Sequence, residues 1–443
     1  MKKRIANWGN YPSIQANEIS FTLLRELKEK LLSLNKGIAR GLGRCYGDAA
    51  LSSTVISTLK HNHILDFDEA TGIINVESGI SLASLLEFVI PKGWFLPVTP
   101  GTKFITVGGA LASDVHGKNH HSEGCFRNHV IEVDVINGEC VVITCSPTFN
   151  KDLFQATAGG MGLTGIITRV KFRLKKIETA YIKQKLIKAK NLNEVIELFE
   201  KYSEYTYSVA WIDCLKTGNG FGRSILMLGE HATLEDLPDS LKNNPLDVPT
   251  KTSLTLPFYL PSFLLNRFTV AAFNFLFYNK TLKKEVNNII SYEPFFYPLD
   301  ALHHWNKGYG KKGFVQYQFV LPLEAKEGLI EILKRINNNG LASFLAVLKI
   351  FGEDNSLISF PMKGYTLALD IPVRKGLFEF LDELDVIVLK FRGRIYMSKD
   401  ARMKPNVFYE GYTSSKLFLN ILAQHKANKF SSLLSERLNI TKL

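Results

Sequence analysis

A chain of 443 residues is too long for one ordinary hydrophobic core, so two or three lobes are expected. With 46% hydrophobic and 22% charged residues it can bury a sizeable interior, which excludes an intrinsically disordered protein. The net charge of +12 fits an anionic membrane, a phosphorylated ligand or a merely solubilising surface; nucleic acid fits least, because no run of five Lys/Arg occurs.

The start, Met1-Lys2-Lys3-Arg4, is basic, but Ala6 to Asn10 supplies no apolar core behind it. Export is therefore not expected, and a cytoplasmic location is, with peripheral contact at the inner face of the membrane. Ser20 followed by Leu23, Leu24, Leu27 and Leu31 predicts a helix that ends before Asn35-Lys36-Gly37. Short strands are predicted at Val55–Leu59, Ile64–Phe67 and Ile73–Val76, then a helix from Ser81 that stops at Pro91. Val130–Ile136 has the strand period with Glu132 and Asp134 outward, and Asn137-Gly138 predicts a hairpin turn into Val141–Thr144. Asp152–Ala158 reads as a short helix and Ile166–Leu174 as another strand.

The texture changes near residue 180. Helical patterns at Asn191–Tyr202, Leu323–Asn337, Arg374–Leu389 and Ser414–Gln424 alternate with strand patterns such as Phe314–Leu321 and Thr366–Ile371. That order predicts an antiparallel sheet with helices on one side. Leu254–Tyr278 is rich in Phe and Leu but interrupted by Pro257, Pro261 and Arg267, which fits a core segment and an interfacial membrane contact equally. Five scattered cysteines without a CxxC pair read as free thiols.

Three glycine-rich stretches carry the chemistry. In the first, Gly37 to Asp48, glycines let backbone N–H groups converge on an anion while Arg40 and Arg44 add charge. Its spacing is not that of a Rossmann fingerprint, and alone it would pass for a flexible loop. The second runs from Pro97 through Gly101 and Thr106-Val107-Gly108-Gly109 to Ser113-Asp114-Val115-His116-Gly117-Lys118, and the third is Ala158–Ile167. Small residues at this density allow a flat, extended cofactor to approach the backbone. His116, His120 and His121 lack metal-site spacing, so no metal is expected, and no G-x-S-x-G elbow is present.

These clusters, in this order, resemble the FAD-binding domain of the vanillyl-alcohol oxidase superfamily of FAD-linked oxidases. Within it the chain is similar to the oxidase subunits of decaprenylphosphoryl-β-D-ribose 2′-epimerases, from about residue 9 onward, through Gly41–Asp48, Val107–His121, Gly162–Ile167, Ser208–Asp213, Gly313–Phe319, Ser343–Gly352 and Arg394–Arg402. The resemblance implies a two-lobed α+β fold: an FAD-binding domain at 1–178, a substrate domain on an antiparallel sheet at 179–390, and a segment at 391–443 that returns to the first domain. It implies that Arg40, Gly41, Leu42, Gly43, Arg44, Cys45, Tyr46, Gly47 and Asp48 cradle the FAD pyrophosphate. Gly101, Thr106, Val107, Gly108, Gly109, Ser113, Asp114, Val115, His116 and Gly117 would flank the isoalloxazine, Ile167 the adenosine end, and Tyr396 would reach the flavin from the second lobe.

Related oxidases with covalent flavin have histidine where this chain has Tyr46, so non-covalent FAD is implied. The implied substrate pocket is Lys118, Trp211, Tyr309, Gln316, Gln318, Lys349 and Lys399, with Lys399 and Tyr46 as the catalytic candidates. The residues agree in kind. Gln316 and Gln318 share one face of a strand and can bind sugar hydroxyls, although an ordinary polar face looks the same. Lys349 follows the apolar run Phe344–Leu348 and needs an anionic partner there, either a substrate phosphate or a carboxylate. The chain departs from the pattern at Tyr365, Thr366 and Ala368; Ala368 stands where relatives carry a cysteine. The implied reaction is oxidation of the C2′ hydroxyl of a polyprenylphosphoryl ribose, with an NAD-dependent reductase as partner. A soluble alditol or aldonolactone oxidase, and a binding protein that has lost catalysis, stay open as alternatives.

Overall fold

A computed structural model of the chain describes residues 2–248, 254–261, 264–281, 283–341 and 343–441. Three sheets organise it. A mixed four-stranded sheet near the N-terminus has the order Lys3–Ala6, Ser13–Ser20, Thr54–Ser57, Ile38–Arg40, the last two pairings being parallel. An antiparallel five-stranded sheet follows, ordered Ile64–Asp68, Ile73–Glu77, Ile166–Arg173, Val130–Ile136, Val142–Cys145. The largest is an eight-stranded antiparallel sheet ordered Glu285–Ser291, Tyr181–Ala189, Ser224–His231, Tyr207–Ile212, Ala346–Phe351, Gly364–Pro372, Phe314–Leu321, Arg394–Ile395.

Local chemistry accounts for the elements near the site. The Ser81 side chain accepts the Ser84 N–H and caps the Leu82–Val89 helix, whose Leu82, Leu85, Leu86 and Val89 enter the core. Thr106 caps the short Val107–Ala112 helix in the same way, through Gly109 N–H. The Asn137-Gly138 turn differs from its expected form. Asn137 Oδ1 accepts both the Glu139 and Val141 N–H groups, and the left-handed residue is Cys140 at φ 64° rather than the glycine. Gly138 is instead pressed against the Lys426 carbonyl, which leaves no room for a side chain there.

The C-terminal stretch meets the first glycine loop. Gly37 bridges Phe430, Leu433 N–H donates to the Leu51 carbonyl, and Arg437 spans Asp48 and Asp400 at 2.9 and 2.8 Å. One apolar core joins Ile38, Val55 and Leu163 with Phe319, Leu367, Leu384, Phe408 and Phe430, so both ends of the chain share an interior.

Candidate active site

A cavity of about 900 Å³ lies where the glycine loops face the eight-stranded sheet, toward the upper end of the ~300–1,000 Å³ usual for small-molecule sites. Its wall includes Arg40 to Tyr46, Gly101, Thr106, Gly108 and Gly109. Ser113, Val115, His116, Gly117, Ile167 and Tyr396 complete that side. Lys118, Trp211, Gln316, Gln318, Lys349 and Lys399 face them from the other. Residues separated by hundreds of positions thus meet around one space.

Five expected site residues do not reach it. Val107 is wholly buried in the apolar core. Gly47 presses on the Asp400 backbone, where a Cβ would overlap the carbonyl, and its own carbonyl accepts Asn7 Nδ2 at 2.8 Å. Its smallness therefore serves the approach of the C-terminal segment. Asp48 turns to Arg437. Tyr309 is stacked on Phe314 at 4.1 Å behind the wall. Asp114, fully buried at φ 40°, accepts from Arg127 and from Ser359 Oγ.

That last contact belongs to a charged network joining the two sides. Arg127 bridges Asp114 to Asp354, with 2.8 Å to the latter. Burial alone would raise the Asp354 carboxyl, but the His120 ring, 3.7 Å away, and the Arg127 guanidinium hold it well below the ordinary carboxylate range. His120, Cys125 and Asp354 place ligand-type atoms within 4.8 Å of one another, yet Arg127 already supplies the positive charge there. The three clustered histidines diverge: His116 faces the cavity, His120 Nδ1 accepts Gly352 N–H, and His121 Nε2 donates to the Tyr205 carbonyl.

Beside the cavity, His116 is boxed by Phe351, Phe360 and Tyr396, and burial holds it neutral. Gln318 lies 3.4 Å from its Nε2 and donates to Thr366 Oγ1 at 3.3 Å, so Thr366 orients the glutamine. Ala368 lines the cavity opposite Gln318, while Tyr365 is buried in the core. Tyr396 donates to the Ser113 carbonyl at 3.0 Å and Ser398 to Ser113 Oγ at 2.6 Å, tying the stretch that carries Lys399 to the second glycine loop.

The lysines are forced together. Burial brings Lys118 and Lys349 down to about 7, helped by the charge of Lys349 at Lys118 and of Lys399 at Lys349. Lys399 packs its ammonium over the Tyr46 ring at 3.8 Å and is lowered by burial. One residue absent from sequence reasoning faces it. Asp370, mid-strand and opposite Gln316, accepts Gln316 Nε2, and burial raises its carboxyl.

Residues 28–146 match the family model described as an FAD binding domain. Over 424 residues the chain is 40% identical to the decaprenylphosphoryl-beta-D-ribose oxidase of Mycolicibacterium smegmatis, covering 93% of this chain and 91% of that one. The chain belongs to the decaprenylphosphoryl-beta-D-ribose oxidase family. An uncharacterised protein in the mprA 5′ region of Streptomyces coelicolor is 30% identical over 82% of this chain and all of its own length. The D-lactate dehydrogenase of Anaerostipes hadrus matches 27% of this chain at 30% identity.

As a member of this oxidase family the chain is an FAD-dependent oxidoreductase acting on a CH–OH group. The wall suits that cofactor. Gly101 has open space where a Cβ would project, and Ser78 Oγ and His116 Nδ1, both buried, have no hydrogen-bond partner among the described residues. Two arginines stand at the first loop: Arg40 is held by Asn7 and Ala6, and Arg44 lies over Trp8 at 3.9 Å.

Proposed function

We propose that the chain oxidises the C2′ hydroxyl of a polyprenylphosphoryl-β-D-ribose to the 2′-keto sugar, the first half of an epimerisation to the arabinose form. The supporting observation is a cavity in which sugar-binding glutamines and three lysines face the flavin loops, while Phe273 and Phe277 lead outward. Gln316 and Gln318 hold sugar hydroxyls, and Lys118 and Lys349 attract the phosphate, whose charge restores their ammonium forms. Bound FAD supplies the hydride-accepting ring. Arg40 to Tyr46, Thr106, Gly108, Gly109, Ser113 and Val115 to Gly117 would hold it without a covalent bond, since Tyr46 replaces histidine; acid precipitation should release the flavin into solution. Lys399 organises proton transfer and the packing of Tyr46. The keto product calls for a separate NAD-dependent reductase.

The visible spectrum of the purified protein, then anaerobic addition of a polyprenylphosphoryl ribose, tests this reading. Bleaching of the flavin band supports it. A flavin that stays oxidised with that substrate and bleaches with an alditol or lactone overturns the substrate and keeps the chemistry.

The lipid tail gives the aromatic segment a role. Helix Arg267–Asn279 anchors through Asn274, which donates to Asp213 at 2.7 Å, and turns Phe268, Phe275 and Leu276 outward at 84%, 58% and 68% exposure. Leu254 and Phe258 of the same segment are also exposed, while Ser262 and Phe263 lie outside the described residues. No helix among the described residues is long and apolar enough to cross a membrane, and a peripheral contact needs none. Replacing Phe268, Phe275 and Leu276 by serine is expected to abolish flotation with anionic liposomes while leaving the flavin spectrum unchanged. Unchanged flotation refutes the membrane contact.

A further inference from the structure

The charge balance of the cavity is lopsided. Lys118, Lys280, Lys349, Lys399, Arg40 and Arg44 reach its wall, against two carboxylates among the described residues, Asp300 and Asp370. Asp300 is engaged: it accepts the Lys103 backbone N–H at 2.9 Å, with Arg44 nearby. Asp370 is held differently. It is 1% exposed and lines the cavity, and the side-chain hydrogen bond it accepts is from Gln316 Nε2 to Oδ1, which leaves Oδ2 for the cavity.

The backbone fixes that carboxylate firmly. Asp370 N–H donates to Ser343 Oγ at 3.2 Å, and strand pairing sets Asp370 across from Gln316. Tyr46, Tyr309 and Lys399 are the titratable groups that face it. A buried carboxylate with one open oxygen is costly unless it exchanges a proton or meets a donor. The other groups on the wall suit proton acceptance less well. Lys118 donates to the Phe295 carbonyl, and the His116 Nε2 is directed at Gln318.

We infer that Asp370 takes the proton of the substrate hydroxyl, an inference that rests on the carbinol oxidation proposed above. The carbinol O–H bond breaks and its electron pair becomes the C=O π bond. The C–H pair leaves as hydride to the cofactor, so the sugar loses two electrons and the cofactor gains them. The proton forms a new O–H bond on Asp370 Oδ2. The Gln316 hydrogen bond and, after it, the Lys399 charge oppose the burial that would otherwise keep the carboxyl protonated.

The test is anaerobic reduction of the holoenzyme by a polyprenylphosphoryl ribose across pH, in wild type, Asp370→Asn and Asp370→Glu. In Asp370→Asn, reduction should slow by about 10²-fold or more, and the acidic limb of the rate profile should disappear. FAD absorbance and the dissociation constant of the 2′-deoxy analogue should stay unchanged. Asp370→Glu should regain part of the rate and of the limb. A rate within about threefold of wild type, a persistent acidic limb, or loss of FAD or analogue affinity in step with the rate each overturns the assignment. In flavin-free protein, NMR titration of ¹³C-methylated Lys399 should give a lower pKa in Asp370→Asn; an unchanged value also overturns it. If wild-type flavin bleaches only with an alditol or lactone, the substrate reading fails and the same comparison is run with that carbinol.

Discussion

Lys399→Ala should stay yellow and lose its chemistry, with flavin reduction slowed by about 10²–10⁴-fold, the range of a removed proton-transfer group. Retention of colour follows from the neighbours. Ser398 is bonded to Ser113 and Asp400 to Arg437, so the segment keeps its place without the lysine. Loss of rate follows from the pair. With the ammonium gone, only the Gln316 hydrogen bond opposes the burial of Asp370, so the carboxyl shifts further toward the neutral acid and accepts a proton less readily. Lys399→Ala and Asp370→Asn should accordingly be non-additive, the double variant being little slower than either single one. Stopped-flow reduction measures all three; full turnover by Lys399→Ala would sink the catalytic role of this lysine.

The second large effect is on stability. Arg127→Leu should cost about 3–5 kcal/mol, the usual penalty for stranding buried partners of an ion pair. Asp114 and Asp354 are both left inside without their counter-charge. The pH dependence has a definite sign. In the native protein Asp354 is held below its ordinary value, so its stabilisation is complete at neutral pH and fades only in strong acid. In the variant the burial contribution dominates and raises that carboxyl, so stability falls as pH rises from mild acid. Thermal melts at pH 5 and pH 8 should show a larger deficit at pH 8; an equal deficit at both would refute the account. Flavin should be lost with the fold, because Asp114 anchors the turn that carries Ser113, Val115 and His116.

Much of this site was legible in the residues. Glycine density marked three loops, and the strand period put Gln316 and Gln318 on one face, where both reach the cavity. What escaped was whatever depends on neighbours across the sheet. Asp370 lies inside the apolar run 366–371 and reads as an accident of composition until strand register sets it against Gln316. Arg127 and Asp354 are 227 positions apart, and no local pattern pairs them. Gly47 and Asp48 carry the composition of a phosphate loop, yet their partners are Asp400 and Arg437, which only the chain's return can supply. Val107 follows a helix cap, so its side chain points into the core while its glycine neighbours face the cavity.

The clasp of Arg437 on Asp48 and Asp400 also orders events during synthesis. The first glycine loop leaves the ribosome early, but its supporting partners lie at residues 400, 430 and 437. N-terminal segments generally begin to fold while the remainder is still being made. Here the nascent cleft stays unfinished until the Leu433–Arg437 helix emerges, so cofactor capture waits on that helix, and a ribosome stalled before Arg437 would carry a colourless chain.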